Sequence, residues 1–493
     1  MNIVLPDLAN GQSMSGAMGL DAVQELQKAL TAGYGTDVST LTGGGALRIQ
    51  SLDKTMASTI QENEHFRLFN KFAKQGATAT VDEWTEQSGV GGFLGGSTNT
   101  ETGTIAGAQG TYARRVGLVK YLMTRREVSF VQTLQNTITD SEAVEQANGA
   151  LQLLTDAEYL SFEGDSTVVP TEFDGIYAQI AGGVATGQVD GDNVQDARGA
   201  SLASINLINK SAATISRYGN FGRPTDIFMS QMVQADFDTG LDPAFRVPLP
   251  GLGDGGISIG SPVVGIRTSW GNIATNPDVF IREDMMKQPF ELGFASIAAA
   301  NTFAPVSVTV AVAGNAASLF GAPQAGNYYW AVAGVNASGQ SVIVKSAQTA
   351  VASGQAATLT ITRSAAATET GYVIYRSRLN GGNVTAGSVA GQGSDFREQA
   401  RIAVAGATTP YVDTNADIPG TTKAFVLNMT PSANAITWRQ LLPMLKFPLY
   451  PTVSATIPWA QLMFGYLRIS KRKHHVVIKN ILPNGNVWRP FNV

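Results

Sequence analysis

The chain has 493 residues, more than one hydrophobic core ordinarily serves, so two or more domains are expected. Its 34 Lys+Arg against 38 Asp+Glu leave a net charge of −4, which sets up no global field to draw in nucleic acid or an anionic membrane. The lack of cysteine excludes disulfides and thiolate chemistry, and the three histidines, His65, His474 and His475, leave little room for zinc sites or general-base catalysis.

The N-terminal stretch "MNIVLPDLANGQSMSGAMGL" has no basic start and no continuous apolar core, so it does not read as a signal peptide. No apolar run is long enough to span a membrane. Residues 1–50 read as an extended arm with one short helix, "LDAVQELQKAL", before the glycine-rich "LTGGGALR". Residues 51–75 read as a helix, with Met56, Ile60, His65, Phe66, Phe69 and Phe72 mostly along one side.

Residues 76–120 change character. "ATATVDEWTEQ" alternates as a strand, "SGVGGFLGGSTNTETGT" is a glycine-rich tip, and "TYARRVGLVKYLMTRREV" reads as a second, longer strand. A two-stranded ribbon alone is marginal in water. This hairpin therefore needs a partner surface, from its own domain or from a neighbouring subunit.

Asp140 is placed to open a long helix over 140–163, with Glu142 and Glu145 near its positive end. Val144, Ala147, Leu151, Leu154 and Phe162 recur at helical spacing, and Gly164 stops the run on the order of 35 Å away. A second helix is expected in "ASLASINLINKSAATISRYG", then a buried strand leading into a helix in "PTDIFMSQMVQADF". From residue 304 to 420 charges thin out. "VSVTVAVAG", "GNYYWAVAGVN", "QSVIVKSAQT", "ATLTITRS", "GYVIYRSR" and "PYVDTN" are short strands that predict a β-sandwich. Residues 421–493 return to a mixed texture, as if the main domain resumed.

Several motifs suggest chemistry and lack its context. "GLGDGG" at 251–256 follows two prolines and precedes a strand-like run, so it reads as a turn rather than a dinucleotide loop. "GISIG" puts Ser258 in a nucleophile-elbow pattern without a histidine in reach of the pattern. "DGDNVQDARG" gathers Asp190, Asp192 and Asp196 but has Val194 where a calcium loop wants Asp or Asn and Ser201 where it wants Glu, so it reads as a solvated turn. "LRISKRKHHVVIK" is the one basic cluster; nucleic acid or an acidic neighbour are the partners it would suit, and a solvated strand end or turn is preferred to either. In the acidic stretch 155–176, Glu158 and Glu163 lie five apart and share no helix face. Glu163, Asp165, Glu172 and Asp174 straddle the helix end, and a structural role is expected for them.

A long helix ending in "LSFEGDS", then "PTEFDGIYAQI", resembles the tailed-bacteriophage major capsid proteins; Glu163, Gly164, Asp165, Gly175 and Ile176 carry the match. The order of parts resembles that family too, down to the closing "FGYLRISKRKHHVVIKNI". The resemblance implies an α+β capsid fold, shared with encapsulins and the herpesvirus capsid floor. Its parts would be an N-terminal arm (1–50), a helix (51–75) and an extended hairpin loop (76–120). A peripheral domain with a spine helix (121–223) and an axial domain (224–303) would follow, completed by 421–493. An all-β immunoglobulin-like or fibronectin type III-like sandwich (304–420) would be inserted on the outer surface.

It further implies a non-enzymatic subunit, without cofactor or metal, that builds hexamers and pentamers of itself into an icosahedral virion shell around double-stranded DNA in the host bacterial cytoplasm. Trp84, Phe93, Leu94, Tyr112, Arg114, Arg115, Glu163 and Asp165 are the candidate inter-subunit contacts. No lysine lies between Gly76 and Ala113, which speaks against a loop cross-link of the kind some members form. A chain starting at Met1 favours a separate scaffold protein, beside a portal and a cement protein. The alternatives kept open are an encapsulin-like shell, a phage tail or fibre protein, and a hydrolase using Ser258.

Overall fold

The computed structural model describes residues 65–135, 140–240, 264–282, 302–381, 396–451, 454–485 and 488–491. The expected N-terminal arm, the first part of the 51–75 helix, and the "GLGDGG" and Ser258 motifs lie outside these residues. Residues 61–134 and 141–493 form one compact unit.

The expected long helix is Ser141–Glu163. Its buried stripe runs through Gly149, Leu153, Ala157 and Phe162, one step round from the expected Leu151–Leu154 row. The step follows from the packing: a Cβ at Gly149 would lie 2.2 Å from the Gln461 side-chain oxygen, so the helix sits on its sheet through its smallest residue. That sheet joins strands in the order Ala73–Gly76, Ile436–Pro448, Thr456–Ile469, Lys120–Ser129. The pair Ile436–Pro448 and Thr456–Ile469 forms a long antiparallel ribbon. Between ribbon and helix lies a core of Phe69, Phe72, Phe162, Phe173, Trp438 and Leu467.

A second, six-stranded sheet runs Val194–Asp196, Val476–Ile481, Thr422–Leu427, Asp226–Met229, Gly271–Pro277, Gly265–Thr268. Strands 226–229 and 422–427 are direct neighbours in this sheet although almost two hundred residues separate them in the chain. The sandwich strands all fall in the interval between Pro277 and Thr422, so the body closes on both sides of them. Two sheets, one of Ser307–Gly314, Gln355–Thr362 and Thr408–Asp413, the other centred on Trp330–Asn336, Gly371–Ser377 and Phe396–Ala403, face each other across Trp330, Leu359, Ile361 and Tyr372. Arg376 is fully buried between them, held by Asp413 at 2.8 Å and Asn415 at 2.7 Å.

Val168 and Val169, just past the long helix, pack into the sandwich against Ala331, Ala333 and Val373. A Cβ at Gly371 would meet Val168 at 2.5 Å, so the approach is close. The sandwich is therefore seated on the acidic stretch rather than strung from a linker.

The structure corrects two expectations and shows two elements with no counterpart in the sequence reading. Only Leu68–Lys71 of the 51–75 segment's described part is helical, and Ala73–Gly76 is a strand. The long strand expected after the tip breaks at Val119 into Thr111–Leu118 and Lys120–Ser129, which belong to different sheets. A helix at Ile176–Ala185 goes unread in the sequence because its "AGGVA" end has few strong helix formers. Strand Phe396–Ala403 is masked to sequence reading by its charges, Arg397, Glu398 and Arg401, two of which are used inside the protein.

Candidate functional site

The hairpin pairs Val81–Gly89 with Thr111–Leu118, setting Asp82 opposite Gly117, Trp84 opposite Arg115 and Gln87 opposite Tyr112. Its base is fastened to the body by charge. Asp82 takes two hydrogen bonds from Arg439, at 2.9 and 3.2 Å, and one from the Tyr466 hydroxyl at 2.5 Å, with Arg468 a further 3.6 Å away. Burial pushes the Asp82 carboxyl up, but the hydrogen bonds from Arg439 and Tyr466 outweigh it and hold the group below its ordinary range.

Gly117 is required here. A Cβ on it would lie 2.2 Å from the Tyr466 ring, so any side chain would push Tyr466 off Asp82.

Four residues further along the strand, Glu86 receives Arg472 at 2.7 Å and Arg115 at 3.1 Å. Gln188 takes a second hydrogen bond from each of these arginines. Lys473 then donates to the Ser88 carbonyl at 3.0 Å. The indole of Trp84 is half-buried against the main core, with the Arg468 guanidinium 5.8 Å from its ring. Between hairpin and body is a groove of about 340 Å³, lined by Lys120, Asp174 and Arg472 among others.

Beyond Gly89 the character reverses. Phe93 is 79% exposed and Leu94 73%, and Val90, Ile105 and Tyr112 are exposed as well. The tip's hydrogen bonds are local, such as Gly96 to the Phe93 carbonyl at 2.9 Å and Asn99 to the Thr104 carbonyl at 3.0 Å. Gly91, Gly92 and Gly95 have φ between 74° and 86°, a left-handed turn that glycine adopts without strain.

The eight candidate contacts thus separate. Phe93, Leu94 and Tyr112 stand in solvent. Arg114 is exposed and pairs with Glu83 on the facing strand. The other four serve the chain itself. Trp84 and Arg115 belong to the hairpin's base. Glu163 holds Lys423 at 2.6 Å, and Asp165 accepts from the Thr167 amide at 2.8 Å and its hydroxyl at 2.6 Å. Each of these four has a partner within its own chain.

The tempting motifs are used up in the same way. Asp190 and Asp192 both pair with Arg217, and Asp196 accepts from the Arg198 and Asn480 side of its loop. Among the described residues no cluster of His, Asp and Glu is arranged to hold a metal ion. The basic run is stitched inward: Arg472 and Lys473 to the hairpin, Lys479 to Asp417 at 2.8 Å. His475 is fully buried and pushed down to about 3, by burial first and then by His474 beside it. A neutral, buried imidazole is not a nucleic-acid contact.

Sequence reading missed the clamp residues Asp82, Glu86, Gln188, Arg439 and Tyr466. Asp82 and Arg439 are 357 positions apart, and no local signal joins them. The basic run at 468–479 was the one visible hint that something acidic had to lie opposite.

The described residues define an α+β protein with a hairpin that is clamped to the body at its base and apolar and exposed at its tip. No family model matches the chain. Along nearly its whole length it is similar to a protein of Enterococcus phage phiEF24C described as "Putative major capsid protein", with 26% identity over 484 residues, 94% of this chain and 97% of that one. The resemblance read from the sequence, to tailed-phage major capsid proteins, is thus matched by a relative aligned almost end to end. Solved structures of similar outline include the SrpI encapsulin complex of Synechococcus elongatus PCC 7942 (8% identity, 90% and 96% covered, TM-score 0.41). The capsid of cyanophage P-SCSP1u (9%, 90% and 96%, 0.44) and Mycobacterium phage Bobi (8%, 90% and 97%, 0.41) are others.

Proposed function

We propose that the chain is a major capsid protein that assembles with copies of itself into the icosahedral head of a tailed bacteriophage, enclosing its double-stranded DNA. The observation that carries this reading is the end-to-end sequence relative from a phage. With 94% of the chain inside the alignment, the residues left out are too few to make up either the hairpin with its clamp or the sandwich. The likeness is therefore to the whole assembly of parts.

In this reading the hairpin (76–120) is the extended loop, and 121–223 with its spine helix is the peripheral domain. Residues 224–303 are the axial domain, 421–493 return to the axial and peripheral domains, and 304–420 is the insertion. The clamp at Asp82 and Glu86 fixes the direction of the arm in the free subunit. The tip supplies apolar area that becomes buried only against another copy. Repeating a few such contacts around closed symmetry gives stability that no single contact has, because each subunit is held by several neighbours at once. Hexamers and pentamers of the chain form the shell, with a separate scaffold, portal and cement protein as further partners. The chain's near-neutral charge suits an inner surface that meets DNA without reading its sequence. It resides in the virion after assembly in the host bacterial cytoplasm.

An encapsulin-like compartment would use the same subunit design without DNA. The phage origin of the full-length relative favours the head shell. Size-exclusion chromatography of the protein expressed with its phage's neighbouring head genes tests the reading. Uniform particles in the void volume, containing DNA when packaging proteins are present, are expected. A stable small oligomer under every condition would overturn it.

A further inference from the structure

Two carboxyl groups from distant parts of the chain meet inside the protein where the Leu68–Lys71 turn crosses the long helix. Glu158 on that helix is 0% exposed, and Asp278, just after strand Gly271–Pro277, is 1% exposed. Both Glu158 oxygens are occupied: Oε1 accepts the Leu68 amide and Oε2 the Phe69 amide, each at 2.7 Å. Asp278 Oδ1 accepts the Phe280 amide at 2.8 Å, while its Oδ2 is buried with no donor among the described residues. Next to the two segments, Phe66 stacks on Phe280 with ring centroids 5.4 Å apart.

Two anions side by side without solvent would repel strongly, and an acceptor-only oxygen at Oδ2 would be left unsatisfied. A single proton between the carboxyls removes both problems. It turns Oδ2 into one end of a carboxyl–carboxylate hydrogen bond and leaves Glu158 free to receive both amides.

The geometry points to a proton shared by Glu158 and Asp278 as the latch that fastens the 65–71 segment to the long helix; loss of that proton opens the latch. The charged and titratable groups facing the pair are Arg67 and His65 on the segment being held, which act on Asp278. Burial, and then the negative charge of Asp278, push Glu158 up to about 9. The unfolded chain releases this proton near the ordinary glutamate value of 4.5, while the folded chain keeps it up to about 9. Stability from the latch is therefore complete at low pH and falls with rising pH across that window, by up to about tenfold in the unfolding equilibrium per pH unit. The inference concerns the chain's own folding and stands whether or not the chain builds a shell.

Asp278→Asn is the informative variant. Its side-chain oxygen can still accept from Phe280, and its N–H₂ donates to Glu158 at any pH, replacing the shared proton. The experiment compares unassembled full-length wild type and variant by chemical unfolding from neutral pH to about pH 10. It also measures hydrogen-exchange protection factors at the Leu68 and Phe69 amides. Wild type is expected to lose stability and this local protection progressively from neutral pH up to about 9 and to level off above it, and Asp278→Asn to keep both. Equal pH slopes and equal protection in the two proteins would overturn the latch, as would loss of protection in the variant at neutral pH. Should the variant fail to fold, infrared spectra of the wild type decide. A protonated-carboxyl band surviving at about pH 8 and gone at about pH 10 supports the shared proton, and its absence at about pH 8 contradicts it.

Discussion

The base and the tip of the hairpin belong to one pair of strands and follow opposite rules. At the base, Asp82 is met by Arg439 and Tyr466 from strands more than three hundred residues away, and Glu86 by Arg472, equally distant, and by Arg115 on the facing strand. At the tip, from Val90 to Ile105, the large side chains are apolar and in solvent, and the backbone bends through glycines. The comparison teaches that the arm is not loose. Its direction is set by charge–charge and hydrogen-bond geometry within the subunit, while its end is left for burial against something else. In the proposed reading, the exposed apolar side chains grouped at this tip serve as an interaction site.

The strongest way to break the comparison is to remove the tip. Deleting 88–103 should abolish shell assembly and leave a soluble, folded chain, checked by electron microscopy and by thermal unfolding. Normal particles would take the tip out of the assembly account. Next in size is the base. Asp82→Ala leaves Arg439 and Arg468 facing each other without their carboxylate and should cost about 3 kcal/mol in urea unfolding. Because Asp82 titrates below its ordinary 3.8, its contribution is present above that pH and is lost as pH falls through its lowered value. The gap between wild type and Asp82→Ala should close in strong acid.

Phe93→Ser sharpens the contrast between the regions. It should change subunit stability by less than about 0.5 kcal/mol, since the ring touches little of its own chain. It should raise the concentration needed for assembly at least about tenfold, since burying a phenylalanine is worth about 1.5–3 kcal/mol per contact. Smallest is Glu163→Gln, which removes an internal pair with Lys423. A loss of about 1 kcal/mol in stability, with assembly intact, is expected; an assembly defect at unchanged stability would return Glu163 to the interface.

What the sequence made legible was local and periodic. The long helix is announced by its spacing and by Gly164, and the sandwich by its alternating strands after Val306. The exposed tip is announced by glycines around Phe93 and Leu94. What stayed hidden was pairing across distance. Arg115 and Glu163 look like free surface charges in one dimension, and only folding shows Glu86 and Lys423 waiting for them. Glu158 is the sharpest case: on a helical wheel it is another acid, and in the structure both of its oxygens cap a turn ninety residues upstream. The break at Val119 was equally invisible, because the strands on either side have continuous β-forming sequence and differ only in which sheet receives them.

The account rests on the tip of the hairpin being buried by another copy of the chain. An electron cryomicroscopy map of assembled particles tests this most directly. The expected result is closed shells in which Phe93, Leu94 and Ile105 of each subunit pack on a neighbouring subunit, while Asp82 and Glu86 keep their contacts within their own chain. Closed shells with these tips projecting into solvent, or no shells at all beside a discrete small oligomer, would contradict it.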